Sequence, residues 1–215
     1  MPSFDVFMLT LGPLQANCFL LVADGAVLVI DPGDEADVVA AAFDEVRAQP
    51  QAILLTHGHF DHFGAVDRLV RRFAAPVYVG AADGPQITEP DRGPLAGFPI
   101  DAVSADPVLL EGERTLELVV PVTAIPTPGH SPGSYTFAVE GHLFSGDLLF
   151  QGSVGRTDLP GGSTDELLNS VAALIRRFPP DTVVHCGHGP DTSLGRELAL
   201  NPFLAPLRYD PEHRW

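Results

Sequence analysis

Three histidines fall within the six residues from His57 to His62, in the run Thr56-His57-Gly58-His59-Phe60-Asp61-His62, directly after the apolar stretch 51–56 that reads as a short buried strand. This placement points to a metal and restricts the chain to folds that gather polar side chains at a strand end. At such an end His57 and His59 point the same way, because strand side chains alternate, while Asp61 and His62 at the start of the next helix can turn back to the same point. Imidazoles with a carboxylate suit Zn²⁺, Fe²⁺ or Mn²⁺, and the absence of a nearby Cys argues against a structural zinc knuckle.

Further along, Thr127-Pro128-Gly129-His130-Ser131-Pro132-Gly133-Ser134 sets one His in a turn stiffened by Pro and Gly. Ser145-Gly146-Asp147 closes another apolar run with a carboxylate, and Cys186-Gly187-His188-Gly189-Pro190 closes a third with a His. All three lie where strands are expected to end, and their glycines permit close approach of a ligand.

Around these motifs the pattern alternates strand and helix, which places the chain in the α/β or mixed-sandwich class. Strands are expected at 4–9, 18–22 and 26–30, the last two joined by the hairpin signal Ala23-Asp24-Gly25, and again at 51–56, 76–79, 107–110, 115–126, 134–139, 142–145 and 182–186. Helices are expected at 35–48, 61–73, 164–178 (capped by Ser163 or Thr164) and 193–200, with a long loop at 81–100 that has room for one helical turn. No linker or repeat divides the sequence, so residues 1–215 read as one domain.

Composition narrows the partners. There are 28 acidic residues against 12 basic ones, for a net charge of −16, and every basic residue is Arg. A surface of that sign repels nucleic acid and anionic lipid over a Debye length of about 8 Å, so neither is expected as a partner and a small substrate is. The two cysteines, Cys18 and Cys186, read as buried reduced thiols. Met1 to Thr10 carries no basic residue, and no apolar run approaches a membrane span, so a cytoplasmic location is expected. Nothing in the sequence specifies an oligomeric state.

The order Asp31, then Thr-His-Gly-His-Phe-Asp-His, then His130, Asp147 and His188 resembles the metallo-β-lactamase superfamily, from the hairpin near Asn17 to the last helix. The resemblance implies a four-layer αββα sandwich and two divalent metal ions, zinc first, with iron or manganese as alternatives. His57, His59 and His130 would hold one ion and Asp61, His62 and His188 the other. Asp147 would bridge them, and Asp31 would orient the histidine loop from behind. A bridging carboxylate separates the chain from the class B β-lactamases, and the acidic surface disfavours the family's nucleases.

The segment from Gly152 to Gly162, with Gly155-Arg156-Thr157-Asp158, and the later Asn201-Pro202-Phe203, is similar to small bacterial glyoxalase II-like proteins. The expected activity is hydrolysis of S-2-hydroxyacyl thiols such as S-D-lactoylglutathione by a metal-bridging hydroxide, with Asp61 also orienting the nucleophile or accepting its proton. Only 27 residues follow His188, so no separate glutathione-binding helical domain is expected, and the absence of Lys leaves the thiol carrier open. Arg156 is a candidate for binding a substrate carboxylate, or else a buried Arg paired with Asp158 or Asp165. The rival reading is a persulfide dioxygenase of the same fold, with one Fe²⁺ held by His57, His130 and Asp147. A non-catalytic module is disfavoured, because all seven ligand positions are filled. His142, His185 and His213 are expected to lie outside the centre.

Overall fold

The computed structural model describes residues 3–90 and 100–215. In chain order its elements are β1 (Asp5–Leu11), β2 (Ala16–Ala23), β3 (Ala26–Ile30), α1 (Ala36–Val46), β4 (Gln49–Leu54), α2 (Phe60–Phe63), α3 (Val66–Phe73), β5 (Val77–Gly80), α4 (Gly84–Thr88) and β6 (Val108–Leu110). The second half holds β7 (Arg114–Leu116), β8 (Val122–Pro126), β9 (Tyr135–Val139), β10 (His142–Gly146), β11 (Leu149–Phe150), β12 (Ser153–Val154), α5 (Thr164–Arg177), β13 (Val183–Cys186), β14 (Thr192–Ser193), α6 (Leu194–Leu200) and α7 (Ala205–Tyr209).

One sheet runs in the order β1-β2-β3-β4-β5-β6 and a second in the order β14-β13-β10-β9-β8-β7, with β11 and β12 forming a separate hairpin. The period of two along the central strands explains why the sheets stack. Cys18, Leu20, Val27, Val29 and Ile53 face one buried cluster, together with Val39 and Phe43 of α1 and Val66 and Leu69 of α3. Their neighbours Phe19, Leu21, Leu28, Ile30 and Leu54 face the other way and meet Val122, Ala124, Phe137 and Phe144 of the second sheet. Leu167, Val171 and Leu174 of α5 cover the second sheet's outer face with Leu143 and Val184. Three apolar interfaces thus separate four layers in the order helix, sheet, sheet, helix, as the sequence resemblance implies.

Strands β3 and β4 pair in parallel, as do β10 and β13, so the residues that follow each pair emerge on one side. Asp31 follows β3, His57 follows β4, Asp147 follows β10 and His188 follows β13, while the turn between β8 and β9 carries His130. The backbone N–H of Tyr135 donates to the Thr56 carbonyl at 2.7 Å, joining the two sheets beside these residues.

Several expectations need correction. The helix expected over 61–73 is broken into α2 and α3, because the amide of Ala65 turns to donate to the Pro32 carbonyl at 3.0 Å. A Cβ at Gly64 would strike the Gly33 carbonyl, so the break lets the Asp31–Gly33 turn dock against the helix. The strand expected over 115–126 is a hairpin in which Leu116 pairs with Val122. Within the 81–100 stretch the single helical turn allowed there is α4, and residues 91–99 lie outside the described residues, as do Met1 and Pro2. Cys18 and Cys186 are buried free thiols, and among the described residues no helix is long and apolar enough to cross a membrane.

Phe137 is fully buried between the sheets. Truncation there removes a large side chain from a two-sided interface, so Phe137→Ala is expected to cost about 3–5 kcal/mol, read as a lower urea midpoint.

Candidate metal centre

The centre is built from strand ends whose side chains have few other directions to take. His57, His62 and His130 are almost fully buried, whereas His59, Asp61, Asp147 and His188 keep partial exposure. Nε2 of His130 lies 3.2 Å from His57 Nε2 and 2.8 Å from His59 Nδ1. On the other side, His188 Nε2 lies 3.3 Å from Asp61 Oδ2, and His62 Nε2 lies 3.8 Å from the same oxygen. Asp147 stands between these groups, its Oδ2 3.7 Å from both His130 Nε2 and His188 Nε2 and its Oδ1 3.4 Å from His62 Nε2. His57, His59 and His130 bring ligand atoms together in one cluster that could hold an ion, and Asp61, His62 and His188 do so in another.

Hydrogen bonds behind the rings fix where the lone pairs point. The Arg156 carbonyl can only accept, so His130 Nδ1 donates to it at 2.8 Å and leaves Nε2 unprotonated in the neutral ring. Asp31 accepts from the Thr56 amide at 2.8 Å and from the Thr56 hydroxyl at 2.5 Å, and its Oδ2 lies 2.9 Å from His62 Nδ1. With its proton committed to Asp31, the Thr56 hydroxyl accepts from His57 Nδ1 at 3.1 Å. Both His57 and His62 therefore direct Nε2 inward.

The electrostatics follow the same division. Burial, reinforced by His62 and the other rings, holds His57 well below the ordinary His range, and burial with His130 brings His59 down to about 4. These rings are neutral at neutral pH. Burial works against ionisation of Asp147, yet His62 and its other imidazole neighbours outweigh it and bring the carboxyl down to about 2. Asp61 likewise falls below its ordinary value despite burial, chiefly through its hydrogen bond with His188. Burial opposes charge on His62, but Asp147 and Asp31 prevail and raise it. The arrangement demands positive charge at its middle. His62 Nε2 and Asp147 Oδ1 are buried there without a hydrogen-bond partner. Lone pairs of these types converging on one volume fit a divalent ion.

Arg156 departs from expectation. It is a surface side chain, not a buried one, and its Nε and Nη2 donate to the two oxygens of Asp158 at 2.7 and 2.8 Å. The fork that would grip a substrate carboxylate is already closed on a neighbour. His185 is turned away from the centre, with Nδ1 2.8 Å from Asp191 and Nε2 2.9 Å from His142, and His213 packs edge-on to Trp215.

The family model described as the metallo-beta-lactamase superfamily matches residues 11–188. A probable metallo-hydrolase of Bacillus subtilis, YqgX, is 40% identical over 90% of this chain and 94% of its own length. The hydroxyacylglutathione hydrolase GloC of Haemophilus influenzae is 32% identical over 93% of this chain and 98% of its own. Among solved structures, TTHA1623 in a di-iron-bound form is 43% identical, with a TM-score of 0.85 over 92% of this chain and 100% of that one. BLEG-1, named a B3 metallo-beta-lactamase, is 39% identical, with a TM-score of 0.89 over 94% of this chain and 100% of that one.

Two residues that support the centre are given no role by the sequence reading, although one of them, Thr56, opens the histidine run. Thr56 links Asp31 to His57, as above. Asn17, buried in β2, donates through Nδ2 to the carbonyls of Cys186 at 3.0 Å and Gly189 at 2.8 Å, while its backbone amide donates to Gly187 at 2.7 Å. It thereby ties the first sheet to the loop bearing His188. Asn17→Ala strands two carbonyls, and the expected loss is about 1–3 kcal/mol in urea unfolding.

Proposed function

The chain belongs to the metallo-β-lactamase superfamily, and on that premise we propose that it is a metal-dependent hydrolase of thioesters, of the S-2-hydroxyacyl kind such as S-D-lactoylglutathione. In this reading His57, His59 and His130 hold one divalent ion, Asp61, His62 and His188 a second, and Asp147 lies between them. The observation that carries it is the pair of buried, partnerless atoms His62 Nε2 and Asp147 Oδ1, set beside His57 and His130, whose protons are committed outward. Zinc, iron and manganese all suit this donor set, and the di-iron form of a 43% identical structure makes iron as natural a choice as zinc. The thioester substrate is favoured by the likeness to a hydroxyacylglutathione hydrolase along nearly the whole chain.

Bound divalent ions supply Lewis acidity toward a carbonyl oxygen and a water acidic enough to yield a nucleophile near neutral pH. The chain's own residues supply the rest. Asp61, ionised and partly exposed, accepts a proton from the attacking water and hands it toward the leaving thiolate. Beside it opens a small cleft walled by Leu11, Leu14, Phe60 and Ile100 and edged by the carboxylates of Asp34 and Asp61, which disfavours an anionic group there. A small, neutral or weakly charged thiol carrier fits a molecule whose net charge is −16. A β-lactam ring is the second substrate to test, because BLEG-1 is 39% identical.

The test is a panel of S-D-lactoylglutathione, other acyl thiols and a chromogenic β-lactam, offered to protein of measured zinc, iron or manganese content, with thiol release or ring opening followed in the visible. Thioester turnover is expected, lost on chelation and restored by metal. His59→Ala and Asp147→Ala are expected to lower kcat/KM by roughly 10²–10³-fold, the scale of removing one preorganised contact to the transition state. One iron per chain with oxygen uptake on a persulfide would replace this reading with the dioxygenase, and faster β-lactam opening would replace it with a lactamase.

A further inference from the structure

Asp83, just before α4, is a fully buried carboxylate that the reading above does not use. Its Oδ2 accepts from the Gly58 amide at 2.9 Å and from the Ser131 hydroxyl at 2.5 Å. Its Oδ1 accepts from the Gly133 amide at 2.8 Å and, at 3.4 Å, from the Gln86 side chain. These donors are neutral, and the sequence positions of three of them are telling. Gly58 lies between His57 and His59, whereas Ser131 and Gly133 follow His130.

One carboxylate therefore ties together the two loops whose histidines converge at 2.8 and 3.2 Å. The packing leaves it no slack. A Cβ on Gly133 would strike the amide and carboxylate of Asp83, and one on Gly58 would press on its Cβ and carbonyl. A buried carboxylate requires several donors, and here two are backbone amides of the histidine loops themselves and a third is the Ser131 hydroxyl of the same loop as His130.

We propose that Asp83 is the positioning residue for the ion held by His57, His59 and His130, setting the separation of the two loops through their backbones instead of through a ring nitrogen. This rests on the two-metal reading. It also makes a selective claim, because Asp83 bonds neither Asp61, His62 nor His188, so the second cluster keeps its own supports in Asp31 and Asn17.

The experiment measures zinc stoichiometry and stepwise affinity by chelator competition in wild type and Asp83→Asn, together with the visible spectrum of the cobalt-loaded proteins and the urea midpoint of the metal-free ones. Asn keeps the shape but turns an amine toward one of the donors. Asp83→Asn is expected to retain one ion at wild-type affinity and to hold the other about 10–100-fold more weakly, with a changed cobalt spectrum. Wild-type affinity for both ions, or equal weakening of both with a lowered urea midpoint, overturns the proposal while leaving the metal centre intact. If Asp83→Asn does not fold, Ser131→Ala, which removes one hydroxyl donor, is expected to weaken the same single ion, and unchanged affinity there overturns the proposal as well. A wild type that takes up fewer than two ions overturns the two-metal reading, and this inference with it.

Discussion

A single buried carboxylate, Asp31, determines which nitrogen of His57 and of His62 carries its proton, because Thr56 relays its charge to the first ring while the second donates to it directly. With those protons committed outward, the inward nitrogens of His57 and His130 are left as lone pairs, beside a His62 that Asp147 and Asp31 favour in its charged form. Such a cluster is unfavourable in a half-buried site unless positive charge sits at its middle. The same logic appears at His130, whose outward proton goes to a backbone carbonyl. The outward bonds thus make the inward nitrogens ready for a cation, and the acid-side shift of Asp147 to about 2 and of His59 to about 4 express one demand from two sides.

Such a cluster needs a rigid mount, and the two sheets provide it. Strand β3 and most of β2 are apolar on both faces, so a slip by one residue would largely exchange one buried face for the other, and register must come from elsewhere. It comes from polar bonds at the strand ends, among them Asn17 to the 186–189 loop, Tyr135 to Thr56 and Asp31 to Thr56. Glycine lets the chains close on one another. Gly146 sits at φ 52°, where its missing Cβ leaves room for the Thr56 hydroxyl.

Much of this was legible beforehand, and the misses share a cause. Period-two and helical patterns located most strands and the helices α1, α5 and α6, because burial imposes the pattern on the sequence. They failed at residues 61–73 and 115–126, where an unbroken apolar rhythm hides a break. In the first the Pro32 carbonyl captures an amide from the helix, and in the second the chain reverses to pair with itself. The short α7 also went unseen, since its five residues carry too little periodicity. For Arg156 the sequence offers a substrate carboxylate or a buried pairing with Asp158 or Asp165, and the structure pairs it with Asp158 at the surface, because a pairing motif does not report depth.

By itself the sequence determined the chemistry on offer: imidazoles and carboxylates at strand ends, spaced so that a family of metal-binding sandwiches was recognisable, on a chain of net charge −16. Only the tertiary structure decided which buried polar groups answer to which. Asp83 and Asn17 hold loop groups 25 to 172 positions away, in contacts such as Gly58 to Asp83 and Asn17 to Gly189, and Thr56 joins its neighbour His57 to Asp31, 25 positions back. Hydrogen bonds of that reach leave no local pattern, because their partners meet only after the sheets have stacked.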